Sequence, residues 1–400
     1  MSGASDKARF YMEKAAPHFR ELEEKKIFTK DEISTMVKKK STFEHKVLAR
    51  GSSPIDFAKY AAWEINLEQL RQKRCKRLRI KGSSAAPGQA RIFNIFERGT
   101  RKHPGDLALW MSYLEYARQA KATNKFKTIM TAAIRLQPTK PVLWLYAARY
   151  SLEVEADMAG ARSYMMRGTR FCTRSKELWI EYAKMEMIYL AKIAMRRRIL
   201  GLEVDKMVEA PESTEESAED QGFSASADMI AIPDFKTHAL QPSMVDAVEV
   251  DSDPQMDPMK TPALTGAIPL AIFDASRKQD FFCPAAAENF FDMFLQFGHM
   301  ACSARILQHV LDSMIELYPA DPATCNCYVR QPLAGSDPMS PSFPMALNTS
   351  LIRLKEALEG TKDKTELSKK SKAWIEPILA LEGLDPGIRT VLEHTSRRLE

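Results

Sequence analysis

Aromatic residues that recur at an almost constant spacing constrain this chain more than any other feature. Trp110, Trp144 and Trp179 stand 34 and 35 residues apart, and each opens a stretch with apolar positions at helical steps. Tyr113 follows Trp110, Ala147 follows Trp144, and Tyr182 and Glu186 follow Trp179. Phe57, Tyr60 and Glu64 repeat the phrase upstream, directly after Ser53-Pro54. That dipeptide suits a helix start, because Ser caps free amides and Pro has no amide to leave unpaired. A recurrence of this length marks stacked helix hairpins, each burying its apolar face only against its neighbours. The fold class expected is therefore all-α, a right-handed helical-hairpin solenoid.

The registers agree beyond the aromatics. Ser53, Asp106, Lys140 and Ser175 each precede an anchor aromatic by four residues, and three of them are good N-caps. Second helices are expected around Ala90-Arg91-Ile92-Phe93, from Phe126 to Leu136, and around Ala161-Arg162-Ser163-Tyr164. His103-Pro104 and Gln137-Pro138 end two of them, since Pro disfavours helix in the residue before it. Phe57, Tyr60, Trp110, Tyr113, Trp144, Trp179 and Tyr182 are thus expected in the repeat core rather than in a binding site. Upstream, the sequence reads as helix, turn, helix, and Thr29 to Glu32 has capping-box spacing. Lys38, Lys39 and Lys40 interrupt the apolar stripe that follows, and a solvated helix face is expected there.

Charge is unevenly distributed. The net charge of +6 is modest, but Arg71, Lys73, Arg74, Lys76, Arg77, Arg79 and Lys81 form a run with no intervening acid. Such a run suits contact with RNA or with an acidic segment. Arg196, Arg197 and Arg198 form a second candidate. No aromatic platform accompanies either cluster, which argues against sequence-specific RNA reading. Between residues 203 and 262 acids, Ser and Pro dominate and helical periodicity fades, the composition of a flexible acidic linker.

Helical patterning resumes afterwards. Phe290, Phe291, Phe294 and Phe297 suggest an aromatic core face, Ala304 to Tyr318 a strongly apolar helix, and Asp321 to Pro344 a turn-rich break holding Cys325 and Cys327. Ala346 to Leu358 and Lys372 to Leu399 suit about three more helices. No Gly-rich phosphate loop, nucleophile elbow or zinc-protease motif occurs, so no enzyme activity and no cofactor are expected. The spacing of Cys325 and Cys327 does not fit a zinc finger, and no metal site is expected. His299 and Cys302 share a potential helix face, where a structural pair is the expectation. A polar start and the lack of a long apolar run point away from secretion and from the membrane.

With the repeats in view, Trp179-x-x-Tyr182-x-x-x-Glu186 and the Ala161-Arg162 helix start resemble half-a-TPR (HAT) repeats, a TPR-like class found in RNA-processing assemblies. The block from Glu21 to Ile33, then Phe43-Glu44, then Asp56-Phe57-Ala58-Lys59-Tyr60 running on to Leu70-Arg71, resembles the opening domain of the U3 small nucleolar RNA-associated protein 6 family. Ala117 and Ser151 depart from the repeat pattern where it carries Glu, as does Ala147 where it carries Tyr.

The resemblance implies a non-enzymatic scaffold in the nucleus and nucleolus, serving early small-subunit ribosome biogenesis. Its implied partners are processome subunits, notably β-propeller proteins of one module, with pre-rRNA and the U3 snoRNP. Two alternatives stay open: a HAT scaffold of splicing or messenger-RNA 3′-end processing, and a direct nonspecific RNA-binding module. The expected organisation is an N-terminal helical region (1–52), HAT repeats (53–202), the acidic linker (203–262) and C-terminal helical repeats (263–400).

Overall fold

A computed structural model describes residues 3–80, 86–200, 265–381 and 383–399. The expected acidic linker and Lys81 lie outside these residues. Among the described residues all regular structure is helical. The N-terminal helices are α1 (Ala4–Glu24), α2 (Lys30–Leu48), α3 (Pro54–Arg77), α4 (Ala86–Lys102), α5 (Leu107–Gln119) and α6 (Thr123–Leu136). They continue with α7 (Pro141–Glu153), α8 (Met158–Phe171) and α9 (Lys176–Ile199). After the gap come α10 (Ala267–Arg277), α11 (Pro284–Leu295), α12 (Ser303–Leu317) and α13 (Pro322–Arg330). A 3₁₀ turn (Gln331–Leu333) then leads into α14 (Phe343–Gly360), α15 (Lys364–Leu379) and α16 (Pro386–Arg398). No helix among the described residues is long and apolar enough to cross a membrane.

The chain divides into two compact units, one of residues 1–183 with 272–289, the other of residues 184–271 with 290–400. In the first, consecutive helices pair as hairpins: α1 with α2, α3 with α4, α5 with α6, and α7 with α8. The expected second helices are α4, α6 and α8. Helix starts follow local chemistry. The Glu32 amide donates to Thr29 Oγ1 at 3.3 Å while the Thr29 amide donates to Glu32 Oε2 at 2.9 Å, closing the capping box of α2. The Asp56 carboxylate accepts from both the amide and the hydroxyl of Ser53, at 2.8 and 2.9 Å. Asp106 accepts from the Leu109 amide at 2.7 Å. Lys140 offers no side-chain cap, and α7 begins instead on Pro141.

In the first unit α1, α3 and α5 end in the same unusual way, and α7 does so one residue later. Lys26, Arg79, Lys121 and Ala156 follow α1, α3, α5 and α7 with φ between 52° and 54°, the left-handed conformation usually given to glycine. Amides of Ile27, Ile80 and Ala122 then reach back to the carbonyls of Leu22, Cys75 and Ala117, at 3.0–3.1 Å. These bonds satisfy carbonyls that the helix end would otherwise leave free.

Small residues let the hairpins close. A side chain at Gly99 in α4 would come within 3.0 Å of the Phe57 ring, and one at Gly168 in α8 within 3.0 Å of Trp144. Ala133 occupies the matching place in α6, fully buried. The period of 34 to 35 residues is thus written on both helices of the hairpin, as a large ring on the first and a small residue on the second.

The region 1–52 packs as part of this unit. Phe19, Leu22, Ile27, Phe28, Ile33 and Met36 form one core cluster with Cys75 of α3. Residues 272–289 also join it, and Phe281 lies 6.4 Å, ring to ring, from Trp179. In the second unit, Phe343, Leu347, Leu354, Leu367, Ile375 and Leu392 build a core from α14, α15 and α16. Phe290, Phe291 and Phe294 are fully buried. The stretch expected as a turn-rich break instead begins with α13, which Asp321 caps by accepting from the Ala323 amide at 2.9 Å. Cys325 and Cys327 are buried on that helix. His299 and Cys302 share no helix face, because both lie in the turns before α12.

Candidate interaction surface

The basic run of α3 is two populations of side chain with opposite roles. Arg71 is buried, and its guanidinium grips Glu68 with two bonds, Nε at 2.9 Å and Nη2 at 2.6 Å. Arg74 binds both carboxylate oxygens of Glu32 at 2.7 Å, donates to the Ile27 carbonyl at 3.2 Å, and lies 4.5 Å over the Phe28 ring. Its guanidinium holds Glu32 well below the usual carboxylate range, at about 2. Lys73, Lys76, Arg77 and Arg79 are exposed and make no ion pair among the described residues. The helical step separates the groups: 71 and 74 face the protein, and their neighbours face out. Arg196, Arg197 and Arg198 close α9, with Arg196 and Arg198 exposed and Arg197 partly so.

Beneath the run sits a charged core that the sequence did not announce. Lys40, expected on a solvated face, is buried, 3.8 Å from Glu64 of α3 and 5.7 Å from the Phe19 ring centre. Arg91 of α4 donates to Glu64 at 2.8 Å and lies 3.5 Å from Glu68. Nearby, Arg98 binds both oxygens of Glu44 at 2.9 and 3.0 Å, and the Tyr60 hydroxyl donates to the same carboxylate at 2.7 Å. Burial and the Glu44 charge push the Tyr60 hydroxyl far above its usual range. Tyr11 of α1 stacks 4.1 Å from the Arg98 guanidinium. These pairs tie all four opening helices together. Buried carboxylates tolerate removal from water only when such partners are in place. The signal lay in α3 itself, where Phe57, Tyr60, Ala61, Glu64, Glu68, Arg71 and Cys75 form one buried stripe at steps of one, three and four.

The seven anchor aromatics are all buried. Two of the indoles also fasten the turn ahead of them. Trp110 Nε1 donates to the Pro104 carbonyl at 2.9 Å, and Trp144 Nε1 to the Pro138 carbonyl at 2.8 Å. Each carbonyl receives a second donor from the far end of the same hairpin, Gln137 Nε2 at 2.6 Å for Pro104 and the Cys172 thiol at 3.5 Å for Pro138. Trp179 breaks the pattern: Thr173 stands six residues before it, and its buried indole N–H has no hydrogen-bond partner among the described residues.

Among the described residues, no group of three or more His, Cys, Asp or Glu is placed to hold a metal. The arrangement offers braced helices, a cationic surface at the end of α3 without ion pairs among the described residues, and an arginine triplet ending α9.

Residues 12–98 match the model of the family described as U3 small nucleolar RNA-associated protein 6. The Schizosaccharomyces pombe protein of that name is 35% identical over 232 residues, 57% of this chain and 47% of its own length. The Homo sapiens homolog is 29% identical over 209 residues, 51% of this chain and 35% of its own. The chain thus spans less than half the length of these curated relatives. A solved structure, of the APC/C hetero-tetramer Cut9-Hcn1, aligns over 91% of this chain and 58% of its own at 12% identity. Its TM-score of 0.24 is too low to bear on the fold. The family match bears out the resemblance carried by the Glu21–Ile33 block. It runs from within α1 to Arg98 of α4, and so contains the buried ion pairs.

Proposed function

From the similarity of helices α1–α4 to the U3 small nucleolar RNA-associated protein 6 family, we propose that this chain is a non-enzymatic scaffold in U3-associated assembly of the small ribosomal subunit. The match over residues 12–98 carries the reading. What supports the mechanism is the hairpin stack, which offers broad rigid faces and spends its polar core on bracing rather than on chemistry. Partner subunits, β-propeller proteins of one module among them, would lie along those faces. The exposed cations of Lys73, Lys76, Arg77 and Arg79, and of the triplet Arg196 to Arg198, are the positions for RNA or acidic partner segments. Lys81 continues the first group in sequence, whereas Arg71 and Arg74 serve it from beneath. Such a subunit resides in the nucleolus with precursor ribosomal RNA and the U3 particle.

The test is purification of the tagged chain from cells, with and without ribonuclease. The reading expects the same protein companions in both samples, and U3 RNA only in the untreated one. Recovery of splicing or 3′-end processing factors instead would overturn it.

A further inference from the structure

The turn between α1 and α2 and the C-terminal end of α3 enclose a shallow cavity of about 580 Å³. Its floor is apolar, made by Ile27, Phe28 and Leu78. Ile27 and Phe28 belong to the core, but Leu78 is 53% exposed, a large aliphatic side chain left to water at the cavity's edge. Lys26, Lys30 and Arg77 also line the cavity, and all three are exposed and free of ion pairs among the described residues. Lys73, Lys76 and Arg79 add positive charge on the same end of α3. Glu23 is the single acid in the lining.

The remaining cation, Arg74, decides between classes of ligand. Its bonds to Glu32 and to the Ile27 carbonyl fix the turn, and its guanidinium covers the Phe28 ring. The one aromatic ring of the lining is therefore taken, and a nucleobase finds no platform on which to stack. What stays available is a shallow apolar depression with room for a large side chain and its neighbours, within a positive field. Apolar floors with a few placed charges are the ordinary build of a ligand site, and complementary charge steers the partner and fixes its register.

We propose that this cavity docks a short acidic protein segment carrying one large apolar anchor residue. The anchor packs chiefly on the exposed Leu78, against the edges of Ile27 and Phe28 that reach the cavity, while acids on either side of it meet Lys26, Lys30 and Arg77. This rests on the scaffold reading only in supposing a protein partner.

Random twelve-residue peptides selected against the full chain should enrich sequences with acids on both sides of one Leu, Ile, Phe or Met. A selected peptide should lose at least tenfold in affinity for Leu78→Asp. It should lose as much for the triple variant Lys26→Glu, Lys30→Glu, Arg77→Glu. Both variants should melt with the parent; where Leu78→Asp does not, Leu78→Ser takes its place. Changing the peptide's apolar residue to Ser should weaken binding equally, and a twelve-nucleotide uridine RNA should not displace the peptide. Absence of an acidic pattern, undiminished binding to Leu78→Asp, or displacement by the RNA would each overturn the proposal. These measurements use the purified chain, so their failure leaves the U3-associated reading standing, and the ribonuclease experiment can fail without touching them.

Discussion

Trp110 and Gln137, at the two ends of the α5–α6 hairpin, donate hydrogen bonds to the same acceptor, the carbonyl of Pro104, at 2.9 and 2.6 Å. The turn that leads into the hairpin is thereby locked by the hairpin's anchor ring and by the residue that closes its second helix. Trp144 and Cys172 do the same at Pro138, but Trp179 has no such acceptor among the described residues. Replacing an indole by Phe should therefore cost more at 110 or 144 than at 179, by about 1 kcal/mol for the lost hydrogen bond. Truncation to Ala at any of the three should cost about 3–5 kcal/mol. Urea denaturation of the two sets of variants measures the difference; equal Phe costs at all three positions would remove the carbonyl lock from the account.

Members of the basic run should respond very unequally to removal. Arg71→Ala leaves the buried Glu68 without its two-bond partner and should destabilise by about 3–5 kcal/mol. Glu64→Ala, which strands Lys40 and weakens the hold on Arg91, should cost about as much. Arg77→Ala, at the exposed end of α3, should stay within about 0.5 kcal/mol of the parent. Thermal melts of the three variants side by side check the division.

The charged core should also make stability depend on pH through His18. Burial, and then the nearby Arg91 charge, lower its pKa from 6.5 to about 4, against the opposing pull of Glu64 and Glu21. The folded state thus prefers the neutral ring. Its contribution is fully present above pH 6.5 and is lost as pH falls toward 4. The ring is partly exposed, so the loss should be on the order of 1–2 kcal/mol after solvent screening. Comparing midpoints at pH 7 and pH 5 should show a smaller drop for His18→Gln than for the parent.

Non-glycine residues at positive φ leave room for stabilisation. Lys121 and Ala156 sit at φ 53° and 54°, where an L side chain costs about 1–2 kcal/mol. Glycine removes that strain but frees the unfolded chain, so Lys121→Gly and Ala156→Gly should each stabilise by about 0.5–1 kcal/mol. Midpoint shifts in denaturant measure it, and a fall in stability would show that the strain is absent.

The repeat was legible because it is local. Trp110, Trp144 and Trp179 carry their own spacing, Thr29 and Asp106 accept from amides three positions on, and Ser53, whose hydroxyl caps no amide, is held by Asp56 at the same step. The charged core was not, because its partners meet only in the folded unit. Glu64 and Arg91 are 27 residues apart and Glu44 and Arg98 are 54, with nothing between them to fix the pairing. Lys40 went unread for the same reason: beside Lys38 and Lys39 it looks like a solvated face, and only α3 brings Glu64 to it. Asp321-Pro322 held a helix-start signal that the surrounding Pro, Gly and Ser residues obscured. Of the basic run, the sequence supplied the charges and the fold decided which of them point outward.

The claim that this chain scaffolds U3-associated ribosome assembly is tested most directly by depleting it from cells and following precursor ribosomal RNA. The account predicts that early precursors of small-subunit RNA accumulate, that mature small-subunit RNA falls, and that large-subunit RNA is spared. Re-expression of the full chain should restore the pattern. Unchanged precursor levels after thorough depletion would contradict it.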